Sequence, residues 1–357
     1  MKEFKYYSII SNKKFTILII CFFLIFLTYF LKYKLKKKVG IIGLEHSQNV
    51  GNNLLKYAIY IKLLELGYDP YIVGKIYPKH NISFLLNTIK VRIINKSFTE
   101  IKKNDYDILM VNSDQTWRNY KNKYVYDIAF LKFAKFWNIS KLVYAASLGI
   151  DKWEFNKKDE EIAKSLLKDF NGISVREKSS VKLVEQHLGL KPSFVLDPTF
   201  LIDKKYYLNL IKNYKNDVII DKNYIFIYTV SNSIKLKRFV KSVSNKYKIY
   251  QININVQNQI QKFLYGIYKC KAVITDSFHG TVFSLIFNKP FISFVYRSRG
   301  NARFNTLKDI FHLKNRIFDE NFIPDLNQLE IPLNLNKSIL NSLKKQSINF
   351  LKKNLYI

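Results

Sequence analysis

Cysteine is scarce in this chain: Cys21 and Cys270 are the two among 357 residues. Two thiols cannot form a disulfide framework, and Cys21 sits in a hydrophobic run, so a reducing compartment fits. Metal-ligand spacing is missing as well. The five histidines, His46, His80, His187, His279 and His312, stand far apart, and no metal site is expected from them. The glycines around residue 50 do not match the dinucleotide fingerprint, so a nicotinamide cofactor is not inferred. No internal repeat is visible. Acidic residues are few, 27 against 59 Lys and Arg, which leaves a net charge of +32. That charge first suggests nucleic acid. The lysines, however, are spread along the whole chain among Asn, Ile, Tyr and Phe. A compositional drift explains them better, and no nucleic-acid partner is expected.

What is present is apolar and aromatic. With 48% hydrophobic and 16% aromatic residues, disorder is excluded, and the length fits two domains of ordinary size. Residues 15–31 form a run of 17 without a charge. As a helix the run would span ~25 Å, a little less than the ~30 Å hydrocarbon core of a bilayer. Flanking lysines can snorkel, and no small-residue cleavage site follows, so an uncleaved anchor is expected rather than a signal peptide. Lys2, Lys5, Lys13 and Lys14 stand with Glu3 before the run; Lys32, Lys34, Lys36, Lys37 and Lys38 follow it. That excess predicts a single-pass protein of the inner (cytoplasmic) membrane, with its bulk in the cytoplasm.

Behind the lysines the chain alternates buried strands with polar loops. Residues 39–44 read as a strand, 45–52 as a polar loop, and the next segment as a helix with Leu54, Leu55, Ala58, Ile59, Leu63 and Leu64 on one face. Strands follow at 71–73, 107–111, 142–146, 172–175 and 194–196. Residues 203–223 read as a short helix and a linker. The alternation restarts with strands at 224–230 and 248–254 and a helix over 257–269. Then come a strand at 272–274, a loop at 275–280, a helix over 281–287 and a strand at 291–296. An amphipathic helix over 337–355 ends the pattern. This order predicts an α/β protein with two doubly wound halves. The expected organisation is a membrane anchor at 1–38, Rossmann-like domains at 39–205 and 206–335, and a C-terminal helix at 336–357.

The loop at 275–280, Thr-Asp-Ser-Phe-His-Gly, is the most informative stretch. In an open parallel sheet, ligands bind where strands end and helices begin. This loop brings Asp276, Ser277 and His279 to such a place. Gly280 would let a ligand approach the backbone, and the helix start at Thr281 favours an anion. Asn49, Asn52, Asp114 and Gln115 occupy matching loops of the first half. Asn49 and Asp114 also fit plain helix caps. Trp117 suits stacking on a sugar face or simple packing. Arg176 and Glu177 read best as an internal ion pair at the domain interface.

The ordered set of loops resembles the polysaccharide pyruvyl transferase family over nearly all of residues 39–315. The likeness lies in Asn49-Val50-Gly51-Asn52-Asn53-Leu54 with Tyr57-Ala58, and in Ser113-Asp114-Gln115-Thr116-Trp117. It continues in Tyr144-Ala145-Ala146-Ser147-Leu148-Gly149, Ile173-Ser174-Val175-Arg176-Glu177 and Leu196-Asp197-Pro198-Thr199. It closes with the loop at 275–280 and Arg303-Phe304. The resemblance implies two Rossmann-like domains facing a cleft, a GT-B-like fold. It implies phosphoenolpyruvate as donor, with no bound cofactor. The acceptor would be a sugar of a cell-surface glycan or its lipid-linked precursor, on which a pyruvate ketal forms. Better-known members carry an Arg-Leu-His triplet where this chain has Ser277-Phe278-His279, and only the histidine matches.

Within that chemistry His279 is the candidate general acid or a donor contact, and Asp276 could orient it, act as base, or simply cap the Ser277-to-Thr281 turn. Ser277, Gly280 and Thr281 are expected at the donor. Arg297, Arg299 and Arg303 are expected to form an anion clamp that replaces the missing arginine. Asn49, Asn52, Asp114 and Gln115 are expected at the acceptor. Two alternatives remain open: a nucleotide-sugar glycosyltransferase of the same architecture, and a non-catalytic glycan-binding member of the family.

Overall fold

The computed structural model describes residues 19–27, 36–44, 49–74, 92–118, 125–214, 223–231, 233–252 and 259–355. The first half consists of β1 (Lys38–Ile42), α1 (Val50–Glu65), β2 (Asp69–Val73), β3 (Ile93–Ile94), β4 (Ile108–Val111), α2 (Val125–Ala129), β5 (Ser140–Ala146), α3 (Lys157–Leu167), β6 (Gly172–Val175), α4 (Lys178–Leu188) and β7 (Ser193–Phe194). Then α5 (Lys204–Leu210) leads to β8 (Tyr224–Tyr228), α6 (Ile234–Ser244), β9 (Lys248–Ile252), α7 (Gln259–Lys269), β10 (Ala272–Thr275), α8 (Phe278–Ile286), β11 (Phe291–Val295), α9 (Ala302–Ile310), β12 (Ile317–Asp319) and α10 (Lys337–Leu355).

The strands form two parallel sheets. The first runs β3-β2-β1-β4-β5-β6-β7 and the second β12-β11-β10-β8-β9. Strands such as Tyr224–Tyr228 and Phe291–Val295 are buried at every residue, as expected when helices cover both faces. The strand order reverses between β1 and β4 in one sheet, and between β8 and β10 in the other. Such reversals are where open α/β sheets bind ligands, past the carboxyl ends of the strands. The halves are joined by a buried aromatic contact. Tyr207 packs edge-on against Phe283 at 4.9 Å and against Tyr57 at 6.1 Å.

One sequence expectation changes, and two strands are new. The helix after β10 starts at Phe278 instead of Thr281. Ser277 caps it: its hydroxyl accepts from the Gly280 N–H at 3.4 Å, and its carbonyl from the Thr281 N–H at 3.0 Å. His279 therefore sits in a helical first turn rather than in a loop. Two short edge strands, β3 and β12, had no clear pattern of their own. Finally, among the described residues no helix is long and apolar enough to cross a membrane. Of the apolar run, residues 19–27 are helical and exposed; its two ends lie outside the described residues.

Helix α10 covers the residues expected of it and packs against β5 of the first sheet. Its Ser347 hydroxyl accepts from the Leu196 N–H at 2.9 Å. Phe350 meets the Tyr144 ring at 6.3 Å.

Candidate active site

The two switch points face each other across the halves. On one side α1 begins after Asn49, whose side chain accepts from the Asn52 N–H at 3.1 Å. On the other α8 begins after Ser277. Their first turns touch: a Cβ placed on Gly51 would lie 2.0 Å from His279 Nδ1. Only a residue without a side chain lets the imidazole lie over the α1 backbone at that point.

The other ring nitrogen faces a carboxylate. His279 Nε2 is 3.7 Å from Asp197 Oδ2, and the same oxygen accepts from Arg176 Nη1 at 2.6 Å. The second oxygen of Asp197 accepts from the Thr199 N–H at 3.0 Å and its hydroxyl at 2.6 Å. Burial alone would raise the Asp197 carboxyl; His279, Arg176 and Thr199 outweigh it and hold the group well below its ordinary value. Arg176 also stands 3.8 Å from Asp114 and 3.8 Å from Glu177. Glu177 is in turn held by the Ser147 and Ser180 hydroxyls.

Asp114 closes the group from the β4 side. Its Oδ2 accepts from Asn52 Nδ2 at 3.1 Å. Burial opposes its charge, but Arg176, His279 and Asn52 together lower its pKa. Its φ of 92° is a backbone conformation that an aspartate rarely adopts. Strain of this kind concentrates at functional sites.

Two guanidinium groups approach the Phe278 ring: Arg176 at 4.6 Å and Arg303 at 5.2 Å from its centroid. Arg176 has carboxylates around it. Arg303 is 9% exposed, yet among the described residues no carboxylate lies within ion-pair distance of it. Its Nη2 donates to the Arg299 carbonyl at 3.1 Å, and its Nε finds no hydrogen-bond partner. Burial, followed by the nearby Arg176 charge, pushes its pKa down to about 10. His279 Nε2, Arg176 Nε and Nη2, Asn52 Oδ1 and Asn112 Oδ1 are also buried without hydrogen bonds among the described residues. The two amide oxygens are acceptors, but the guanidinium nitrogens of Arg303 and Arg176 are unsatisfied donors on buried cations, and these suit an anionic ligand.

The structure thus brings His279, Asn52, Asp114 and Arg303 together, and separates the remaining candidates. Asp276 is a cap: its oxygens accept from the Val230 N–H at 2.7 Å and the Ser231 N–H at 2.9 Å. It fixes the loop after β8 and does not orient His279. Gly280 faces its own strand, where a Cβ would meet Thr275 Oγ1 at 2.2 Å, so it serves packing rather than ligand approach. Thr281 is buried against Ser293 at 2.7 Å, and Ser277 is the helix cap. Asn49 caps α1 at the exposed rim. The Gln115 amide donates to the Arg299 carbonyl at 3.3 Å and ties the halves together.

The arginine trio does not form one clamp. Arg297 is exposed and pairs with Asp319 at 3.5 Å, while Arg299 is half-exposed, 3.8 Å from Asp276. Of the three only Arg303 is buried as a whole, and Arg176 joins it; Arg299 brings its Nη1 inward beside Asp276. Trp117 packs in the core with its Nε1 donating to the Ala129 carbonyl at 3.1 Å. Sequence reading missed Asp197 and gave Arg176 only an interface role. The signal for Asp197 was its place in the polar turn shortly after a strand, before Pro198. Among the described residues no group of three or more His, Cys, Asp or Glu side chains could hold a metal.

Comparison with known proteins places the fold and the family. No curated protein matches the chain. Among solved structures, the UDP-GlcNAc 2-epimerase of Methanocaldococcus jannaschii is 14% identical, over 88% of this chain and 99% of its own, with a TM-score of 0.56. The Neisseria meningitidis UDP-GlcNAc 2-epimerase bound to UDP-GlcNAc is 11% identical, over 89% of this chain and 100% of its own, at 0.54. Staphylococcus aureus MnaA with UDP is 13% identical, over 90% of each chain, at 0.52. At such identities the likeness is one of fold, a GT-B-like pair of Rossmann-like domains. The family profile of the polysaccharide pyruvyl transferases matches residues 49–298. With that profile spanning well over half of its length, the chain belongs to the polysaccharide pyruvyl transferase family.

Proposed function

We propose that the protein transfers pyruvate from phosphoenolpyruvate, as a ketal, onto two hydroxyls of a cell-surface glycan or its lipid-linked precursor. The observation that carries this reading is Arg303, a buried guanidinium with no carboxylate within ion-pair distance among the described residues, set over the Phe278 ring that also meets His279. A small phosphorylated acid supplies the charge that Arg303 lacks. Arg303 and Arg176 hold the donor's anionic groups.

His279, oriented by Asp197, protonates the methylene carbon of the enol, and C2 gains cation character. The two sugar hydroxyls, placed by Asn52 and Asp114, add to C2 in turn as the C2–O bond to phosphate breaks. Of the two hydroxyl protons released, one replaces the proton given to the methyl group and the other leaves with phosphate. We also infer that residues 15–31 hold the enzyme at the membrane, close to a lipid-linked acceptor.

Incubation with phosphoenolpyruvate and a glycan acceptor should release inorganic phosphate and yield a ketal methyl signal by NMR. His279→Ala should lower phosphate release by at least ~100-fold, the usual worth of a positioned acid. Release of a nucleoside diphosphate from a sugar nucleotide, with none of phosphate, would replace this reading with that of a glycosyltransferase.

A further inference from the structure

The amino ends of the first sheet's strands form a face opposite the cleft, and it has a different chemistry. A groove of about 900 Å³ opens there, lined in part by Lys37, Lys103, Lys135, Phe136 and Trp137. Parallel strands put all their amino ends on one side, so residues preceding β1, β4 and β5 in sequence gather here. Phe136 is 89% exposed, more than any other large apolar side chain among the described residues. Lys135 Nζ lies 5.3 Å from its ring centroid. Asp107 and Asp169 share the groove, and Asp107 is engaged by the Lys38 N–H at 2.7 Å. The lysines outnumber them. Aromatic rings set among lysines are the composition of a membrane–water interface.

The path of the chain gives a second, independent reason. Residues 32–37, six in number, separate the apolar run from β1 at Lys38. Six extended residues reach at most ~20 Å. A membrane-held run therefore keeps this face near the bilayer. We propose that the amino-end face of the first sheet docks on anionic lipid headgroups, with Phe136 entering the interface between lysines. This rests on the membrane attachment inferred above and is independent of the donor chemistry. The cleft, at the carboxyl ends of the same strands, then points away from the bilayer. It accepts a glycan that extends out of the headgroup layer more readily than a sugar lying within it.

The test uses the full chain reconstituted into vesicles of phosphatidylcholine and phosphatidylglycerol with brominated acyl chains. Phe136→Trp should show emission quenched by the bromines. Lys103→Glu with Lys135→Glu in the same background should lose that quenching while the chain still floats with the vesicles. Phosphate release measured in detergent should stay unchanged, since none of these residues belongs to the cleft. Emission that ignores bromination, or equal quenching in vesicles of phosphatidylcholine alone, would overturn the proposal. So would self-association through this groove in place of lipid contact.

Discussion

At the scale of single residues, the site depends on one missing side chain and one shared carboxylate. Gly51 leaves the space that the His279 ring occupies, and a methyl there would overlap the imidazole. Gly51→Ala is therefore expected to displace the ring and abolish phosphate release. Overpacking of this kind costs about 1 to 3 kcal/mol. Since His279→Ala frees the same space, the double variant should be more stable than Gly51→Ala alone, a coupling that urea unfolding can measure. Asp197 has a different part. Its charged form is favoured in the folded protein, so its contribution is complete above its ordinary pKa of 3.8 and is lost as pH falls through the lower folded value. Asp197→Asn leaves Arg176 buried with less compensation and should cost about 3 to 5 kcal/mol at neutral pH. The gap between variant and wild type should be flat above pH 5 and shrink as the pH drops below about 3.8. A gap that widens in acid would contradict this account.

At the scale of elements, the strand–loop–helix units place chemistry by their caps. Asp276 and Gly280 flank His279 in sequence, yet both act on the scaffold. Asp276→Asn should weaken two charge-assisted hydrogen bonds to the loop after β8, at about 2 kcal/mol, and leave the pH profile of turnover unmoved. A shifted profile would return Asp276 to the role of base. Most of the elements were legible in the sequence because buried parallel strands are unbroken apolar runs. Strands β3 and β12 were not, since two or three residues at a sheet edge show no period. The start of α8 was misplaced because Phe278 and His279 read as loop until the Ser277 cap is seen. The candidate site was legible only in part. His279, Asn52, Asp114 and Arg303 stand at strand or helix ends, where sequence reasoning looks. The link between Arg176 and Asp197 joins the ends of neighbouring strands, and no spacing along the chain reports it.

At the scale of the whole molecule, the long connected core explains why the halves present one site. Tyr57, Tyr207, Phe263 and Phe283 carry apolar packing from α1 into α7 and α8. This packing holds Gly51 against His279. The anchor inferred for residues 15–31 lies before the first strand, which starts at Lys38. Removing residues 1–35 should leave the urea unfolding midpoint unchanged and release the protein from floating vesicles into the soluble fraction at high salt. Continued flotation in high salt would place the attachment elsewhere.

The return of α10 to β5 has a mechanical consequence. The chain leaves the first sheet, builds the second, and comes back, so the second half is spliced into the first like a clause between commas. It rides on two connectors, and any rotation it makes bends both at once. A fluorophore near Leu355 would travel with β1, and its energy transfer to one on α6 would read the swing of the inserted half directly.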